Sequence, residues 1–118
     1  MRKFIAGICI LGAIVTSGCM TKDMRVMDKG FNSLENGDLV KAEAYFNESL
    51  AINPDNPFAM LNLGVVYEKS GRNTEARAMY NKVINSGSQD KAGKTTGETS
   101  KAGMALIDMA KENLANMK

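Results

Sequence analysis

The 118-residue chain has no histidine, two cysteines, no apolar stretch of membrane-spanning length, and no excess of either charge once two residues at its start are set aside. Without histidine, the commonest general base and transition-metal ligand is missing. Cys9 lies within the N-terminal apolar run and Cys19 just after it, so removal of that run would leave one thiol and no intramolecular disulfide. The longest apolar run, Phe4 to Val15, is about 12 residues against the roughly 20 needed to cross a bilayer. Of the formal charge of +2, Arg2 and Lys3 supply all: beyond residue 18, 13 basic residues face 13 acidic ones. No clustered Lys/Arg face of the kind that grips nucleic acid is present, so no nucleic-acid partner is expected.

What the start of the chain does have is order. Arg2-Lys3, the apolar run and Thr16-Ser17-Gly18-Cys19 together have the anatomy of a secretory signal peptide. The small residues directly before Cys19 resemble a bacterial lipobox, although Thr16 stands where leucine is usual. The resemblance implies cleavage after residue 18, a diacylglycerol on the Cys19 thiol with acyl chains such as palmitate, and a lipid anchor in a membrane. Ordinary cleavage with soluble export, and retention of the run as an anchor, are the alternatives. Met20 stands where an acidic residue would resemble an inner-membrane retention signal, which favours the outer membrane, facing the periplasm. Cleavage would leave 100 residues, enough for one small domain with a modest core.

A step of 34 residues carries Gly30 onto Gly64, Gly37 onto Gly71, Ala42 onto Ala76, Phe46 onto Tyr80, Asn47 onto Asn81 and Leu50 onto Ile84. Repetition at this period marks helical units that bury their apolar faces by stacking on neighbours. Turn tracts agree: Asn36-Gly37-Asp38 and Ser70-Gly71-Arg72-Asn73 each supply a glycine for positive φ and a residue, Asp38 or Asn73, able to cap the next helix. Asn53-Pro54-Asp55-Asn56-Pro57 separates the units, and Pro57 suits the first turn of a new helix. With Met60, Leu63, Gly64, Tyr67, Ala76 and Tyr80 in one unit and Gly30, Ala42, Phe46 and Pro54 in the other, the chain resembles the tetratricopeptide repeat over residues 23–88, as two units at 23–56 and 57–88. Lys29 and Ser33 depart from it where the family has Leu and an aromatic, Val26 replaces a bulky residue, and Val83 and Ser88 replace a small residue and a closing Pro.

Residues 89–99 are polar and rich in Gly, Thr and Lys, which reads as a flexible linker. Met104, Ile107, Ala110, Leu114 and Met117 then recur every three or four residues, predicting an amphipathic helix within 100–118 that starts near Ser100 and covers the apolar end of the stack. The expected fold is all-α: a signal peptide (1–18), a lipidated tether (19–22), two helical hairpins forming a right-handed α-solenoid fragment, a linker and a capping helix.

Catalytic constellations are wanting. Gly93-Lys94-Thr95 looks like the end of a phosphate-binding loop, but Ser88 occupies the place of its first glycine and no apolar strand precedes it. Glu43, Glu48, Glu68 and Glu75 fall on helix faces that need solvating residues. The reading is therefore a non-enzyme without cofactor or metal. By the resemblance, the first helix of each hairpin lines a concave groove, through Met24, Met27, Phe31 and Leu34 in one unit and Phe58, Leu61, Val65 and Glu68 in the next. Seven of these eight are apolar and no lysine clamp is present, which suits an amphipathic or apolar segment of a partner protein. Residues so spaced can also be core, and the C-terminal helix could itself lie in the groove. The function this implies is scaffolding on the bacterial envelope, assisting assembly of a pilus, secretion system or similar complex. A self-associating structural lipoprotein or an accessory subunit of an envelope enzyme are the alternatives.

Overall fold

The computed structural model describes residues 21–87 and 104–117; the signal segment, Cys19, and the linker at 89–99 lie outside the described residues. Those described form five helices and no strand: α1 (Lys22–Glu35), α2 (Leu39–Ile52), α3 (Pro57–Lys69), α4 (Asn73–Asn85) and α5 (Leu106–Asn116). The fold is all-α, with two hairpins, α1–α2 and α3–α4, and a fifth helix.

The turns follow from their residues. Gly37 and Gly71 take φ of 78° and 77°, a region that costs a residue with a side chain and costs glycine little. Asp38 caps α2 by accepting from the Lys41 backbone N–H at 3.1 Å. Asn56 caps α3 by accepting from the N–H groups of Phe58 and Ala59 at 3.0 and 3.2 Å, and Pro57 fills the first turn, where no N–H is needed. Asn73 does not cap α4: it is already the first helical residue, and Arg72 holds the cap position without a side-chain bond to the helix.

Glycine also decides how closely each hairpin closes. A methyl group on Gly64 would lie 2.6 Å from the Tyr80 ring, and one on Gly30 would lie 2.7 Å from the Phe46 ring. Both rings are fully buried beside Ala42 and Ala76, which are fully buried too. Gly64→Ala is therefore expected to overpack the second hairpin and cost about 1–3 kcal/mol. Thermal unfolding checks it; an unchanged midpoint would mean that the ring has somewhere to move.

The two hairpins differ where their surroundings differ. Lys29 is exposed, whereas Leu63, 34 residues later on α3, which packs against α2, is buried. Ser33 replaces the equivalent of Tyr67 and donates to the Lys29 carbonyl at 2.9 Å. In the second hairpin the Tyr80 hydroxyl donates to Glu68 Oε1 at 2.7 Å. The same two places in the first hold Phe46 and Leu34, an apolar pair in place of a polar one.

Helix α5 stands to α4 and α3 as α3 stands to α2 and α1, in main contact with the second helix of the preceding hairpin and lesser contact with the first. It is thus stacked on the end of the array as a cap, in the place of a next first helix, and is not laid along the row from Met24 to Glu68. Its start is Leu106, later than the sequence pattern suggested, with Ala105 extended before it. Its buried residues are Leu106, Met109 and Ala110, while Met104, Ile107, Leu114 and Met117 are only partly buried. The buried face is rotated from the expected one because α5 meets two helices at once. Asn113 and Asn116 stand where the second hairpin has Gly64 and Tyr67, too polar a surface to receive a further helix in the same way.

A half-open apolar face and a buried polar hub

The eight residues expected to form the groove divide. Met27, Phe31 and Leu61 are 2%, 7% and 1% exposed, so they are core between neighbouring helices and offer a partner nothing. Met24, Leu34, Phe58 and Val65 are partly buried and keep an open side. Glu68 is engaged by its own hairpin through Tyr80. The cause lies in the stacking: α1, α3 and α5 lie close enough for the inner part of each row to seal against the next helix, and only the outer part remains open. In α5 the matching places hold Ile107 and Leu114, also partly buried. These two extend the face and were not anticipated, since the role of α5 as a first-type helix shows only in its packing. Cys19, the expected lipid site, lies outside the described residues.

At one end of this face is a polar hub that the sequence pattern did not reveal. Asp23, in the first turn of α1, is 6% exposed, and its Oδ2 accepts from the side-chain amides of Asn53 at 3.1 Å and Asn56 at 3.2 Å. The Ser49 hydroxyl, at the end of α2, donates to the Asp23 carbonyl at 3.0 Å. One asparagine, 2% exposed, thus caps α3 with its oxygen and holds α1 with its nitrogen. Hydrogen bonding from Thr21, and then from Asn53 and Asn56, outweighs the opposing effect of burial and holds the Asp23 carboxyl below the usual range, so it is charged at neutral pH. Above the hub Thr21, Asp23, Met24, Asn53, Asn56, Pro57 and Phe58 line an open cavity of about 300 Å³. The signal available in the sequence was Asn directly before Pro at a helix start, a capping signature that marks Asn56 as more than linker.

A second polar cluster ties the hairpins together on another side. Arg72 Nη1 reaches both oxygens of Glu43 at 2.8 and 2.9 Å, its Nε and Nη2 pair with Glu75 at 2.9 and 2.6 Å, and its guanidinium lies 4.4 Å from the centre of the Tyr67 ring. Hydrogen bonds from Arg72 hold the Glu75 carboxyl low. The first hairpin has the signs reversed at these places, with Lys41 paired to Asp38 at 3.7 Å. Both carboxylates of the cluster are hydrogen-bonded to the one guanidinium, which fits a structural strap between the hairpins. Asn62 in α3 is fully buried with neither amide atom hydrogen-bonded, and being sealed it can touch no ligand. Among the described residues no group of three or more His, Cys, Asp or Glu is arranged to hold a metal, and no helix is long and apolar enough to cross a membrane.

Stacked antiparallel helix pairs with paired glycine–ring contacts, closed by a polar cap, define a helical-repeat protein whose first helices share one face. The tetratricopeptide repeat family matches residues 33–95, more than half of the sequence, and the chain belongs to that family. The chain is also similar to photosystem I assembly protein Ycf3 of Rippkaea orientalis (strain PCC 8801 / RF-1), with 38% identity over 61 residues, covering 46% of this chain and 35% of the relative. It thus spans about a third of the length of that relative. No solved structure matches it.

Proposed function

We propose that this chain is a non-catalytic interaction scaffold that holds an amphipathic or apolar segment of a partner protein on the face formed by Met24, Leu34, Phe58 and Val65 and continued by Ile107 and Leu114. The observation that carries this reading is the half-open state of those side chains on three successive first-type helices. Apolar groups kept partly in water at regular places gain free energy when a partner covers them, and methionine adapts its shape to what it meets. The relative's name describes assembly of photosystem I, and a role in assembly is the part of that description carried over here. The reading extends this to assembly of an envelope complex such as a pilus or secretion system. Capture of a partner by the wild-type chain, and its loss when Leu34 and Val65 are made acidic, tests the reading. End-to-end self-association is disfavoured by the polar outer side of α1, where Arg25, Lys29 and Asn32 are exposed, and by Asn113 and Asn116 on α5.

The same proposal places the scaffold on a membrane through acyl chains on Cys19, at the periplasmic side of an outer membrane. The support is the Thr16-Ser17-Gly18-Cys19 junction after a run too short to span. Helix α1 begins only three residues beyond Cys19, which would hold the open cavity end of the face close to the lipid surface. Cys19→Ser is expected to abolish incorporation of a fatty-acid analogue in metabolic labelling. Equal labelling of wild type and variant would remove the anchor from the account.

A further inference from the structure

We infer that the cavity over Asp23 receives the cationic side chain, lysine or arginine, of a partner segment lying along the apolar face; this deepens the scaffold reading and rests on it. The cavity holds about 300 Å³, room for one long side chain, and its lining includes Asp23, a residue more than nine-tenths buried. Among the described residues no lysine or arginine forms an ion pair with Asp23, in contrast to Glu43 and Glu75, both of which Arg72 satisfies. Its hydrogen bonds keep it ionised without neutralising it, so a cation brought beside it meets a fixed, partly desolvated negative charge. The walls suit the rest of such a side chain. Met24 and Pro57 offer apolar contact to a methylene stem, and the Phe58 ring can face an ammonium or guanidinium group. Met24 and Phe58 also belong to the half-open row, so a segment seated on that row would pass the cavity mouth. An anionic ligand is disfavoured by the carboxylate, and a purely apolar side chain would leave it covered and unpaired.

The experiment is a titration of the isotopically labelled full chain, followed by NMR, with lysine blocked as the N-acetyl methylamide and, separately, with the equally blocked norleucine. Lysine is expected to shift the side-chain amide signals of Asn53 and Asn56 and the backbone signals of Phe58 and Ala59 in a saturable way, and norleucine is not. Asp23→Asn, which keeps an oxygen acceptor, should weaken the lysine response about tenfold or more. Phe58→Leu, which keeps the backbone N–H that Asn56 accepts and alters only the ring, should weaken it about threefold and decides the matter if the Asp23 variant fails to fold. Equal responses to lysine and norleucine, no response to either, or an undiminished response in folded Asp23→Asn or in Phe58→Leu overturn the inference. The scaffold reading fails separately. Val65→Glu should abolish partner capture and leave the lysine response intact, whereas partner capture that survives Asp23→Asn unchanged would remove the cavity from recognition and leave the face.

Discussion

Leu61→Glu is expected to leave the chain without a cooperative thermal transition and with most of its helical circular dichroism lost at 25 °C. Leu61, on α3, is 1% exposed and belongs to the one core cluster that joins both hairpins to α5. Removing a buried leucine side chain typically costs about 2–5 kcal/mol, and an ionised carboxylate in its place among buried apolar side chains adds a desolvation cost of several more. A domain of this size commonly has only about 5–15 kcal/mol in hand, so the sum exhausts it. Phe31→Glu is expected to act in the same direction, since Phe31 is 7% exposed in the same cluster. Far-ultraviolet circular dichroism with thermal melting measures both. A Leu61→Glu chain that melts within a few degrees of wild type would show that the side chain points outward and that the division of the row into core and open face is misplaced.

That division explains what was legible beforehand. The 34-residue step, the turn glycines and the alanine–aromatic spacing dictate hairpins because each rests on local geometry: positive φ at Gly37 and Gly71, and absence of a side chain at Gly30 and Gly64 beneath a ring. The departure at Lys29 agrees with its exposure on α1, where its counterpart Leu63 is buried in the core. Helical periodicity assigns Met24, Met27 and Phe31 to one side of α1, but it carries no information on how near the next first-type helix comes. Hence the sealed Met27 and Phe31 could not be told from the open Met24. The same limit hid the true face of α5, where Leu106 and Met109 are buried while Ile107 and Leu114 are only partly so.

Polar long-range pairs were less accessible still. Asp23, Ser49 and Asn56 are ordinary helix-end residues in the sequence, and only the return of the chain after α2 brings them within hydrogen-bonding distance. Arg72 and Glu75 are three apart and could be read as a pair, whereas the link from Arg72 to Glu43, 29 residues earlier, depends on how the hairpins stack.

Making the open residues acidic is expected to have the opposite consequence to Leu61→Glu. Leu34→Glu with Val65→Glu should keep the helical signal and shift the melting midpoint by only a few degrees, because these side chains retain an open side through which a carboxylate can stay hydrated. Partner capture should nevertheless fall below detection, since a bound segment would trap both charges without counter-ions, at several kcal/mol each. Site-specific photo-crosslinking in living cells tests this most directly. A benzophenone amino acid is placed at Val65 on the proposed face, and in a second chain at Val40, which at 80% exposure is the most open large apolar side chain among the described residues and lies on α2 away from that face. The account predicts a discrete protein adduct from position 65 that disappears when Leu34→Glu is added, and none from position 40; an adduct from position 40 with none from position 65 would contradict it.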